Sequence, residues 1–202
     1  MGKGDETRTA VLDEAVELAS LVGLGGLTIG SLAAATKLSK SGLYAHFESK
    51  EALQVDVLQH ARQRFIDLVM RPTLRAPRGE ARLRAFFEHW LTWQVEVLSG
   101  GCIFVDAASE FDDQEGPVRD ELLRGERDKL DSIAVMVQGA VGEGHFRDDV
   151  DEGQFAFELE GIMLAHHHSR RLMRDGLADE RARRAFERLV AACRPLDGTP
   201  PD

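Results

Sequence analysis

Cysteine is scarce in this chain: Cys102 and Cys193 are the only two among 202 residues. Two thiols exclude a disulfide-stapled secreted scaffold, and they show no metal-type pairing. No stretch approaches the roughly 18–20 uninterrupted apolar residues that a bilayer span needs. The start, Met1 to Arg8, is polar and carries no apolar signal-peptide segment, so a soluble cytoplasmic protein is the expectation. Positive charge is also short: 25 Lys and Arg stand against 35 Asp and Glu, a formal net charge of −10 with histidines neutral. That balance excludes a non-specific nucleic-acid coat and an anionic membrane as partners, though not a small DNA-reading patch. There is no nucleophile–base pair at a recognisable spacing and no complete metal-ligand set. No catalytic residue, metal or cofactor is therefore assigned, and the chain is read as not an enzyme.

What is present is enough apolar material for a core, 43% hydrophobic against 30% charged. Nothing alternates with period two. Apolar residues instead recur at steps of three and four, which predicts an all-α protein. Leu12, Ala15, Val16, Ala19 and Val22 share one helical face that Gly23, Gly25 and Gly26 end. Leu53, Val57, Ala61, Phe65 and Leu68 form a second face on a longer helix expected to stop before Pro72, with a linker from Arg71 to Gly79. Further helices are expected over about 83–98, 102–111, from Pro117 to Gly142 or Gly144, 151–174 and 179–193. Asp151 and Asp179 are the expected N-caps of the last two, with Gly176 as the stop between them.

The informative stretch runs from Thr28 to Lys50. Thr28 can cap one short helix and Ser39 a second, with Leu27 spaced to pack on Leu32 and Leu38 on Leu43. Two short capped helices around a tight turn make a helix-turn-helix candidate. The second helix turns Leu43 and Phe47 inward and leaves Lys40, Ser41, Gly42, Tyr44 and His46 outside. Short donors and a glycine at its start suit close approach to base edges and phosphates. Ser49 can cap the next helix, which puts Lys50 at its first position. A cation there opposes the helix dipole by about 0.3–1 kcal/mol, a cost that a bound phosphate offsets. Lys37, Lys40 and Lys50 face only Glu48 between Thr36 and Lys50, a basic island in an acidic chain. Bland readings stand beside these: Tyr44 as interhelical packing, His46 as a cap, Lys37 and Lys40 as solvated lysines.

At Tyr44, His46–Phe47 and Lys50–Glu51–Ala52–Leu53, following the Ser39-to-Leu43 helix turn, the first 60 or so residues resemble the DNA-binding domain of the TetR family of transcriptional regulators. The resemblance implies Thr28 and Lys50 on phosphates, with Ser39, Lys40, Ser41, Gly42, Tyr44 and His46 along the recognition face. Lys37 departs from the pattern, since it stands where a glycine is usual. Either it takes a positive φ or the turn differs, and its charge is within reach of the DNA backbone. The implied architecture is an N-terminal three-helix helix-turn-helix domain over residues 1–52 and a C-terminal helical ligand-binding and dimerisation domain over 53–195, with a flexible tail at 196–202. Outside the N-terminal third, the match rests on length and helix count alone.

The resemblance further implies a homodimer on double-stranded operator DNA and an unidentified small-molecule inducer, without a membrane partner. The sequence permits a largely apolar pocket built from Phe87, Trp90, Trp93, Phe104, Phe111, Met136 and Met163, with His167 as the histidine facing it. Each of these also reads as plain core. Consecutive histidines sit about 100° apart on a helix, so His166, His167 and His168 cannot all face one ion; the helix offers one or two ligands at most, to be joined by His89 or His145, and a metal site is the lesser reading. Cys102 at a helix start reads as a small buried residue before a redox sensor. Glu110, Asp112, Asp113 and Glu115 read as a solvated loop before a cation site. By resemblance the dimer interface is expected on the last two helices, at Phe155, Leu159, Ile162, Phe186, Leu189 and Val190. The alternatives are a constitutive DNA-binding dimer without an inducer, and a helical-bundle enzyme.

Overall fold

The computed structural model describes residues 3–195, so the expected tail at 196–202 lies outside the described residues. The secondary structure is all helical, with no strand among the described residues. The chain divides into two compact units, one drawn from Met1–Ile66 and Trp93–Gly125, the other from Asp67–Thr92 and Glu126–Asp202. This division by compactness does not fall at the 52/53 boundary expected from the motif.

The first unit holds α1 (Lys3–Val22), α2 (Ile29–Thr36), α3 (Lys40–Tyr44), α4 (Lys50–Phe65) and α7 (Ile103–Phe111), with the start of α8 (Pro117–Gly142). Leu12, Ala15, Val16 and Ala19 are buried, as their spacing requires, beside Leu53, Val57, Leu58 and Ala61 of α4. Val22, expected on the same face, is exposed, because α1 ends there and Gly23 turns the chain with φ +79°. Gln54 is a polar member of this core; its amide donates to the Leu24 carbonyl at 2.9 Å, which offsets the penalty for burying it. Each fully buried leucine here contributes about 1.5–3 kcal/mol.

The expected stop before Pro72 is not observed. The backbone continues from α4 through π-helical residues Ile66–Met70 into α5 (Arg71–Arg75). Pro72 occupies the first turn of α5, where its missing N–H leaves no bond unmade. The π turn just upstream opens the backbone where the proline ring would meet a preceding carbonyl. It also shifts the helical register, so Val69 is buried and Leu68, expected inward, is exposed. The linker thus shrinks from Arg71–Gly79 to residues 76–79.

The second unit contains α5, α6 (Glu80–Thr92), the rest of α8, α9 (Glu152–Arg171) and α10 (Ala178–Cys193). Asp151 caps α9 as expected, accepting from the Gln154 N–H at 2.8 Å. Asp179 does not cap α10. Leu177 holds the cap position, and Asp179 instead accepts from His166 Nε2 at 2.8 Å and Arg170 Nη1 at 3.0 Å. Nor does Gly176 end α9; the left-handed residue after the helix is Arg174, φ 51°. Across α6 and α10, Arg84 bonds Glu80 and Glu187, and Arg194 bonds Glu80 at 2.6 Å. The core of this unit includes Leu83, Phe86, Phe87 and Trp90 of α6 with Phe186 and Val190 of α10.

Candidate nucleic-acid interface

The site is assembled by three short-range caps. Thr28 Oγ1 accepts the Ser31 N–H at 3.0 Å while Ser31 Oγ accepts the Thr28 N–H at 3.0 Å, a reciprocal capping box that starts α2. Leu27 and Leu32 are both fully buried, as the staple spacing requires. α2 ends on Lys37, which adopts φ 57° and ψ 22°, so the lysine takes the left-handed conformation itself. Ser39 Oγ then accepts the Gly42 N–H at 3.1 Å and starts α3. The second staple is looser, because Leu38 stays 37% exposed above a buried Leu43. Ser49 starts α4 by accepting the Ala52 N–H at 3.0 Å.

α3 has two sharply different sides. Leu43 and Phe47 are buried, whereas Ser39, Lys40, Ser41 and Gly42 are exposed and Tyr44 is 61% exposed. Tyr44 therefore does not pack between helices. His46 is half-buried beside Phe47, with ring centroids 6.3 Å apart. Phe47 is also covered by the guanidinium of Arg8, 5.5 Å from its ring centre. Lys37 and Lys50 are exposed.

Lys40 lies close to the start of α2, and Lys50 is held by a hydrogen bond. The Lys40 ammonium lies 3.8 Å from where a Cβ on Gly30 would stand, and Thr28 Oγ1 lies 3.7 Å from the same point. A cation and a hydroxyl thus both lie near the start of α2, at distances a Cβ at position 30 would tolerate. The first N–H groups of a helix lack intrahelical partners and carry positive partial charge, so an anion is favoured there. The Lys50 ammonium donates to the Gly25 carbonyl at 2.6 Å. The exposed cations, hydroxyls and helix start together offer what a phosphate backbone and base edges require.

The eight residues expected to line a pocket are divided between the two units. Trp93, Phe104 and Phe111 belong to the first unit, where Phe65 meets Trp93 edge-on at 5.4 Å and Phe104 stacks on Trp93 at 6.4 Å. The Trp93 indole N–H is buried without an acceptor among the described residues. Phe87, Trp90, Met136, Met163 and His167 are buried in the second unit. There Phe87 stacks on Phe186 at 4.3 Å, and Met136 lines a groove of about 560 Å³ with Met70, Leu74 and Val135.

Of the expected interface residues, Phe155, Leu159, Phe186, Leu189 and Val190 are buried within the single chain, and Ile162 is half-buried. The outward side of α9 instead presents Phe157, 73% exposed, and Leu164, 45% exposed, a pair the sequence reading missed although they sit seven residues apart on one face. A groove of about 650 Å³ between α9 and α10 is lined by small residues, Gly161, Ala165, Ala185 and Ala192 among them, with Ile162 and Leu189.

Glu110 is a departure from the solvated acidic loop expected at 110–115. Its carboxylate accepts the Gly25 N–H at 2.5 Å, a contact across 85 residues that no local signal announces. Among the described residues no cluster could hold a metal ion. His89 faces Thr73 at 3.1 Å and His145 accepts the Glu80 N–H at 3.3 Å. Cys102 and Cys193 are buried and not joined in a disulfide, and burial pushes the Cys193 thiol above its ordinary range. Among the described residues no helix is long and apolar enough to cross a membrane.

Comparison with known proteins agrees with this geometry. Residues 11–57 match the family model "Bacterial regulatory proteins, tetR family", and residues 79–186 match "Tetracyclin repressor-like, C-terminal domain". No protein of curated function matches the chain in sequence. A TetR transcriptional regulator from Chloroflexus aurantiacus is 26% identical, with 95% of this chain and 96% of that one covered and a TM-score of 0.84. A TetR-family regulator from Cytophaga hutchinsonii, 17% identical, reaches a TM-score of 0.85 over 98% of this chain and 99% of that one. AibR, solved with isovaleryl coenzyme A and operator DNA, is 24% identical with a TM-score of 0.72, over 94% of this chain and all of its own. With most of its length matched by the two models, the chain belongs to the TetR family of bacterial transcriptional regulators.

Proposed function

We propose that this regulator is a ligand-responsive repressor: a homodimer that holds a pseudo-palindromic operator and is released by a small, largely apolar inducer. The observation that carries the reading is the outer side of α3, where Ser39, Lys40, Ser41, Gly42 and Tyr44 are exposed over a buried Leu43 and Phe47. A five-residue helix with so little to bury is explained by what it touches outside the protein. In this reading α3, with His46, enters the major groove. Thr28, Lys37 and Lys50 take phosphates.

Two copies must present α3 about 34–36 Å apart to meet successive major grooves. The exposed Phe157 and Leu164 with the small-residue groove between α9 and α10 support pairing through that face, since a large apolar side chain left in water is a surface awaiting a partner. The buried, unpartnered Trp93 N–H supports a ligand bearing an acceptor. AibR, of the same fold, was captured with a coenzyme A thioester and operator DNA together, which supports a dual role for this architecture. A ligand preferring a dimer of another spacing lowers operator affinity by its differential affinity, commonly about 1–3 kcal/mol. The helical run that starts at Lys50 is the proposed transmitter.

A gel shift with the DNA upstream of the chain's own reading frame, titrated with apolar candidate ligands, tests this. A shifted band that a ligand dissolves is expected. A band that no ligand dissolves identifies a constitutive dimer, and the absence of any band contradicts the reading.

A further inference from the structure

The loop between α1 and α2 is built around one carboxylate. Gly23 has φ +79°, and a Cβ there would stand 2.3 Å from Glu110 Oε1; a Cβ on Gly25 would stand 2.9 Å from Oε2. The two glycines thus leave the space that Glu110 of α7 occupies. Glu110 accepts the Gly25 N–H at 2.5 Å, and the carbonyl of the same residue accepts from the Lys50 ammonium at 2.6 Å. The approach of α7 is fixed at its other end as well, where the Gly100 N–H donates to Ser20 Oγ at 3.1 Å. Gly100 meets α1 so closely that a Cβ would stand 1.6 Å from the Ser20 carbonyl oxygen.

We propose that Glu110 is a positioning residue for the DNA contact: it holds the Gly25 peptide as the acceptor for Lys50, and α7 thereby controls how that ammonium is presented. An ammonium has three donors, so one bond to Gly25 leaves two for a phosphate. The lysine stem has large rotamer freedom to lose on meeting DNA, and a stem already held loses less. Both hydrogen bonds to the Gly25 peptide are charge-assisted, one accepted by the Glu110 carboxylate and one donated by the Lys50 ammonium. α7 carries Phe104, stacked on Trp93, so a ligand entering beside that indole would displace the helix that carries Glu110. The inference rests on the DNA-binding reading above.

The experiment is a double-mutant cycle on affinity for a duplex that the wild-type protein selects from a random pool. Glu110→Ala and Lys50→Ala are each expected to weaken binding by about 5–10-fold, the scale of one net hydrogen bond. The double variant is expected to bind as Lys50→Ala alone. Glu110→Gln, whose amide oxygen still accepts from Gly25, recovers most of the affinity. Gly25→Ala, which drives the carboxylate away from the loop side, reproduces Glu110→Ala and replaces it in the cycle if that variant fails to fold. Losses that add, or a Glu110→Gln variant as weak as Glu110→Ala, overturn the positioning role. Failure of the wild-type protein to select any duplex overturns the DNA-binding reading itself.

Discussion

At position 37 the turn between α2 and α3 requires a left-handed residue, and a lysine supplies it with φ 57°. That conformation costs a residue with a Cβ about 1–2 kcal/mol relative to glycine. The cost is sensible where the side chain has a use, and Lys37 stands exposed beside the other DNA candidates. Lys50 and Lys40 differ in what they are placed to do. Lys50 starts α4 and bonds Gly25, so Lys50→Ala is expected to weaken binding to all sequences alike and to reduce the salt slope by about one phosphate. Affinity measured across a salt series checks this, and an unchanged slope removes Lys50 from the backbone. Lys40 starts α3, and Lys40→Ala is expected to change base preference by about 1–3 kcal/mol at one position. Selection of duplexes by wild type and variant reads that preference; a uniform loss assigns Lys40 to phosphate, in line with its approach to Thr28 and Gly30.

Among the helices, those whose start is written locally were legible in the sequence. Thr28, Ser39, Ser49 and Asp151 cap the helices they precede because a cap needs only a partner two or three residues away. What depended on distant partners was not legible. Asp179 has the chemistry of a cap, but His166 and Arg170 draw it away, while burial pushes the His166 imidazole below its ordinary range despite that carboxylate. The π turn before Pro72 and the grip of Glu110 on Gly25 likewise follow from packing. The α6–α10 pairing gives a pH prediction. The Arg194 hydrogen bond, with Arg84 also bonded, holds the Glu80 carboxyl at about 2, well below its ordinary 4.5. A depressed folded value means that the unfolded chain binds the proton more readily. The stabilisation is therefore complete above about 4.5 and is lost as pH falls toward 2. Glu80→Gln is expected to cost about 1 kcal/mol near neutrality and to flatten stability in that window. Urea midpoints from pH 6 to 3 measure it; a variant that keeps the full acid loss places the dependence elsewhere.

For the whole molecule the question is how two copies meet. The sequence marked α9 and α10 as apolar but not which of their residues face outward, because α9 carries apolar side chains on more than one face and only packing decides which the chain keeps. Phe155 and Leu159 were consumed inside, leaving Phe157 and Leu164 outside. Phe157→Arg with Leu164→Arg is expected to convert the dimer to a monomer in sedimentation equilibrium and to lower operator affinity by at least tenfold, since each half-site contributes to one bound complex. A double variant that remains dimeric moves the interface to another face. The most direct measurement of the central claim is a hydroxyl-radical footprint of the wild-type protein on a duplex it has selected. Two protected half-sites of opposite orientation, centred about 10–10.5 base pairs or a multiple apart, are the predicted result. A single unpaired patch of protection, or protection that ignores sequence, would contradict it.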